Sequence, residues 1–133
     1  MTCAAYELSL ALCDEELFVL MASQHLEKTR RNREFPVSDL QLGSLLKQLH
    51  PRGVVIGDVL RGLSRKGMIE PGGPGRIRCT QAGNDVKHPF NGLRNELELR
   101  DRLRPQFSRS LEFVAELRAA LRALCEEELR TRR

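Results

Sequence analysis

The stretch that most constrains this chain is "KGMIEPGGPGRIRCTQAG", residues 66–83. Met68-Ile69-Glu70 and Arg76-Ile77-Arg78-Cys79-Thr80 alternate with the period of two that a half-buried strand requires. Between them "PGGPG" concentrates the residues that build tight turns. The pattern predicts a hairpin, with Ile77 and Cys79 on one side of the returning strand and Arg76, Arg78 and Thr80 on the other. A phosphate-cradling loop is excluded, because the order G-x-x-x-x-G-K-[ST] and its strand-to-helix context are missing. A flexible linker would not be flanked by alternating strands.

What precedes the hairpin reads as helix. Val55, Val59, Leu60 and Leu63 fall at helical intervals, with Ile56 beside them, so a helix is predicted over 53–66 and ends at Gly67 as the residue past the cap. Gly57 and Gly62 inside it each cost about 1 kcal/mol relative to Ala, which suggests that something approaches the backbone there. Ser38 and Gln41 form a capping-box pair ahead of Leu42, Leu45, Leu46 and Leu49, a helix that ends at His50-Pro51. Earlier still, Asp14 is placed as the N-cap of a helix whose face is Leu17, Leu20, Met21 and Gln24, with Phe18 beside it; Phe35-Pro36 forbids its continuation. Residues 2–13 fit both periods, and their good helix formers favour helix.

Beyond "TQAGNDVKHPFNG" a helical pattern runs through Leu93, Leu97, Arg100 and Leu103 to a break at Pro105. Phe107, Leu111, Val114, Leu117, Leu121 and Leu124 then make one stripe on a terminal helix. At 1.5 Å per residue that helix reaches roughly 35–40 Å, more than a small core covers, so the stripe is expected to pair two copies of the chain. The alternative is a terminal helix folded back on its own domain. The expected fold class is mainly α with a small β-hairpin, built as residues 1–90 and a helical arm, 91–133. Only 5% of the residues are aromatic and none is Trp, so the core should be aliphatic.

Three helices followed by a hairpin is the order of a winged helix. The run "VVIGDVLRGLSRKGMIEPGGPGRIRCTQAG" resembles the third helix, wing and closing strand of winged helix-turn-helix regulators of the MarR and PadR kind. The shared features are Leu63-Ser64-Arg65-Lys66-Gly67-Met68-Ile69, the Gly-rich wing, and Thr80-Gln81-Ala82-Gly83, within a resemblance spanning about residues 14–88. It implies a DNA-binding domain and a role in transcription regulation.

The residues read independently point the same way. Residues 1–27 carry five acids and no Lys or Arg, whereas 47–78 carry seven bases against Asp58 and Glu70. Such asymmetry suits an anionic partner, although a solvated basic face is the plainer reading. With Val55, Val59 and Leu63 inward, Asp58, Arg61 and Arg65 share the outer face of helix 53–66. Arg61 and Arg65 are expected to read guanine edges in a major groove. Arg52 and Lys66 near the helix ends, and Arg76 and Arg78 on the wing, are expected over phosphates or an adjacent minor groove. The densest basic run, "KTRRNR", fits either a backbone contact or a solvated helix end. The expected partners are double-stranded DNA and a second copy, with two copies of helix 53–66 entering successive major grooves. Any small-molecule or protein effector is not named by the residue types. The alternative is a winged-helix module that binds another protein.

Other classes are set aside. G-x-S-x-G and H-E-x-x-H are lacking, and the three histidines are isolated, so no catalytic residue, no cofactor and no metal site is expected. No apolar run approaches the roughly 18 residues of a membrane span, and the N-terminus lacks a signal-peptide pattern, so a cytoplasmic location is expected. Cys3, Cys13, Cys79 and Cys125 lie far apart and are expected as reduced, mostly buried thiols.

Overall fold

The computed structural model describes residues 2–28, 34–36, 53–101 and 111–131. Among them are helices α1 (Thr2–Ser9), α2 (Asp14–Lys28), α3 (Ile56–Arg65), α4 (Gln81–Asp101) and α5 (Phe113–Thr131), and strands β1 (Phe35–Pro36), β2 (Ile69–Pro71) and β3 (Arg76–Cys79). The protein is mainly α with a small antiparallel sheet of order β1-β3-β2. β3 is central: Ile69, Glu70 and Pro71 pair with Cys79, Arg78 and Ile77, and Phe35 and Pro36 pair with Ile77 and Arg76. The helix expected after Ser38 lies outside the described residues.

Residues 2–9 form a helix, the alternative their good helix formers favoured. Ala5, Ser9 and Leu12 are the buried positions, while Leu8 and Leu10 face solvent. The polar Ser9 is tolerated inside because its hydroxyl donates to the Tyr6 carbonyl at 2.6 Å. In α2 the cap lies one residue earlier than expected. The Leu17 N–H donates to the Cys13 carbonyl, and Glu16 reaches back to accept the Cys13 N–H at 2.9 Å, the acidic half of a capping box. Asp14, released from that role, instead pairs with Arg118 at 2.9 Å.

α3 begins three residues later than expected and ends as anticipated. Gly67 has φ +75°, its N–H donates to the Ser64 carbonyl, and the Met68 N–H donates to the Leu63 carbonyl. That double closure is a Schellman motif, which explains the glycine. α4 departs most from expectation, because it starts at Gln81, directly after β3, and carries Pro89 within it. Gly83, Asn84, Pro89, Asn91 and Gly92 argue locally for a loop; tertiary contacts override them. Val86, Lys87, Phe90 and Asn91 are all buried, and Asn91 donates to the Met21 carbonyl at 3.0 Å and to Gln24 Oε1 at 2.7 Å. The 90/91 boundary therefore falls inside a continuous helix.

α5 packs on α1, α4 and α2. Leu111, Val114, Leu117 and Leu121 are at most 2% exposed within this one chain. Arg118 holds the turn between α1 and α2, donating to the Ser9 and Leu12 carbonyls at 2.8 and 2.6 Å while pairing with Asp14. At the other end of the same contact Cys3 and Cys125 form a disulfide with a Cα separation of 4.8 Å. This overturns the expectation of four reduced thiols: 122 residues of sequence separate cysteines that the antiparallel packing of α1 on α5 makes neighbours. Cys13 and Cys79 are not disulfide-bonded.

Candidate nucleic-acid interface

Ile56, Val59 and Leu63 turn α3 onto the core, leaving Asp58, Arg61, Ser64 and Arg65 exposed. Arg61 pairs with Asp58 one turn back, and both side chains remain largely in solvent. Arg65 has no ion pair among the described residues. Lys66 behaves differently, because its ammonium binds the carboxylate of Glu16, whose side chain is only 6% exposed. Burial alone would push the Glu16 carboxyl up. The Lys66 hydrogen bond and the Cys13 N–H outweigh it and hold the group below the ordinary 4.5.

That carboxylate also accounts for Gly62. A Cβ at position 62 would lie 2.3 Å from Glu16 Oε2, so the close approach suggested by the two glycines is made there. Gly57 has nothing within 4 Å of such an atom. Between α3 and the start of α2 lies an open groove of about 680 Å³, with Cys13 and Glu16 on one wall and Asp58, Gly62 and Arg65 on the other.

The β2–β3 hairpin follows from the end of α3. Within "PGGPG" the Gly72 N–H donates to the Arg76 carbonyl and the Arg76 N–H to the Gly73 carbonyl, both at 2.9 Å, with Gly75 at φ +69°. Thr80 locks the root. Its hydroxyl accepts the Gly83 N–H at 3.1 Å as the N-cap of α4 and donates to the Gly67 carbonyl, while its own N–H donates to the Met68 carbonyl at 3.0 Å. A Cβ at Gly83 would stand 2.1 Å from that same Met68 oxygen. The Thr80-x-x-Gly83 spacing thus fastens the end of α3 to the start of α4.

Arg76 and Arg78 lie on one side of β3 as expected, but in company. The Glu34 carboxylate forms ion pairs with Arg76 at 3.6 Å and Arg78 at 3.8 Å, and Glu70, directly across the ladder, pairs with Arg78 at 2.7 Å. A Cβ at Gly72 would lie 2.8 Å from the Glu34 carboxyl carbon, so this glycine makes room for the acid. Glu16 and Glu34 were not identified from sequence. Gly62 and Gly72 were their only trace.

Of the remaining expected site residues, Arg52, Phe107 and the basic run from Thr29 to Arg33 lie outside the described residues. Leu111, Val114, Leu117 and Leu121 sit in the chain's own core, whereas Leu124 is 43% exposed. Among the described residues no helix is long and apolar enough to cross a membrane. Comparison with known proteins gave no match to any family model, curated protein or solved structure.

Proposed function

We propose that the chain is a winged-helix protein that binds double-stranded DNA in a sequence-dependent way and serves as a transcriptional regulator. The observation that carries this reading is the outer face of α3. It presents Arg61 and Arg65 to solvent beside Asp58, and the fold uses neither arginine to hold itself together. A helix of 10 residues fits a major groove, where guanidinium groups pair with guanine O6 and N7. The order β1-β3-β2, with the β2–β3 hairpin leaving directly from α3, supports a wing beside that groove.

Two copies bound to one pseudo-palindromic site would place two α3 helices about 34 Å apart. Because Val114, Leu117 and Leu121 of α5, and Leu111 just before it, are buried within one chain, pairing falls to what α5 leaves exposed, including Leu124 and Leu129. Sedimentation at tens of micromolar tests it; a monomer there ends the paired arrangement.

Anisotropy titration of mixed-sequence duplexes at two salt concentrations tests DNA binding itself. Arg61→Ala with Arg65→Ala should weaken binding about tenfold or more. Absence of binding at low salt, or binding indifferent to the double substitution, rejects the reading. One observation favours a second reading, a protein-binding module. Glu34 and Glu70 neutralise the wing arginines, which reduces the pull of that surface on phosphates.

A further inference from the structure

We propose that the Cys3–Cys125 disulfide is a redox-operated strap: a small dithiol opens it in the folded chain, and α1 then lifts from α5. The two cysteines are unequally placed. Cys125 is 7% exposed and shares the inner face of α5 with Leu121 and Leu117, four and eight residues before it. Cys3, in the first turn of α1, is half-buried, so a reductant reaches the bond from that side.

Little else holds that end of α1. The helix is eight residues long, below the roughly 12–15 at which an isolated helix persists in water. Among its described side chains only the small Ala5 and Ser9 are buried, with Tyr6 partly so, while Glu7 and Leu8 face solvent. The other end is fastened separately, by buried Leu12 and by Arg118, which donates to the Ser9 and Leu12 carbonyls. Opening the disulfide leaves α1 hinged on that corner. On α5 the two fastenings are Arg118 and Cys125, and Leu121, 2% exposed, lies between them. The apolar face of α5 from Leu121 to Cys125 is therefore uncovered only in the reduced chain.

The step is thiol–disulfide exchange. A thiolate of the dithiol attacks Cys3 Sγ, the S–S bond breaks, and Cys125 leaves as a thiolate that takes up the proton the dithiol gave up. The second thiol of the reductant then attacks its own sulfur in the mixed disulfide, releases Cys3 as a thiol and closes a cyclic disulfide. The protein gains two electrons and two protons, and the dithiol loses them. Cys125 remains inside as a small apolar thiol.

The test compares the whole chain with and without millimolar dithiothreitol, in the absence of denaturant. Alkylation followed by mass spectrometry should find Cys3 and Cys125 newly reactive. Amide hydrogen exchange across α1 should accelerate about tenfold or more, and by a larger factor than exchange across α3. That contrast separates release of α1 from a loss of overall stability, which would speed both helices by one factor. Cys3→Ser should exchange like the reduced chain in either buffer; if it does not fold, the reduced native chain carries the comparison. A bond that yields only after denaturation, α1 exchange indifferent to reduction, or equal acceleration of α1 and α3 would overturn the proposal.

Discussion

Glu16 and Gly62, 46 positions apart, are in contact so close that the glycine cannot gain a methyl group without moving the acid: the added Cβ would stand 2.3 Å from Oε2. Gly62→Ala should therefore destabilise the fold by about 1–2 kcal/mol, because shifting Glu16 disturbs its bonds to Lys66 and Cys13. Gly57→Ala, on the same helix with open space around it, should stabilise by about 0.5–1 kcal/mol. Urea midpoints for the two variants check the opposite signs. Adding Glu16→Ala to Gly62→Ala should remove the steric part of the loss.

The same carboxylate makes stability depend on pH. Its folded-state pKa lies below 4.5, so the unfolded chain binds the proton more tightly. The contribution is complete above about 4.5 and is lost as pH falls through the depressed folded value. Denaturation midpoints measured from pH 7 downward should fall more steeply below 4.5 in the native protein than in Glu16→Gln. Parallel curves would show that other carboxylates control the acid limb.

Gly83→Ala tests the root of the β2–β3 hairpin. The new Cβ meets a backbone carbonyl, Met68, which has no rotamer with which to retreat, so the loss should be about 2–4 kcal/mol and exceed that at Gly62. Thr80→Ala, which removes a cap and the bond to Gly67, should lose about 1 kcal/mol. Thermal unfolding ranks the three variants.

If the β2–β3 hairpin meets DNA, its acids hold it back. Glu34→Gln with Glu70→Gln frees Arg76 and Arg78, so duplex affinity should rise and the dependence of log K on log salt should steepen by about one to two. Titrations from low to moderate salt read both quantities. Unchanged affinity and slope would place the hairpin off the phosphates and favour the protein-binding reading.

How legible the molecule was from sequence follows from how local each determinant is. α3, its Gly67 closure and the hairpin depend on residues within a few positions of one another, and all were anticipated within one to three residues. β1 was not, because two residues show no period and become a strand only by pairing with Arg76 and Ile77. α4 was cut short because Gly83, Pro89 and Gly92 are poor helix formers. What holds them helical is a buried face of Val86, Lys87, Phe90 and Asn91 against α2. At the candidate interface the arginines could be listed from their spacing. Glu34, the partner of Arg76 and Arg78, and Glu16, the partner of Lys66, arrive from distant segments, and each leaves only a glycine as a sign.

The disulfide joins positions 3 and 125 of a 133-residue chain, so nearly the whole sequence lies inside one covalent ring. A single proteolytic cut anywhere between those cysteines opens the ring but releases no fragment. On a denaturing gel without reductant such a nicked molecule would still run as one piece, and only reduction would reveal where the chain had been cleaved.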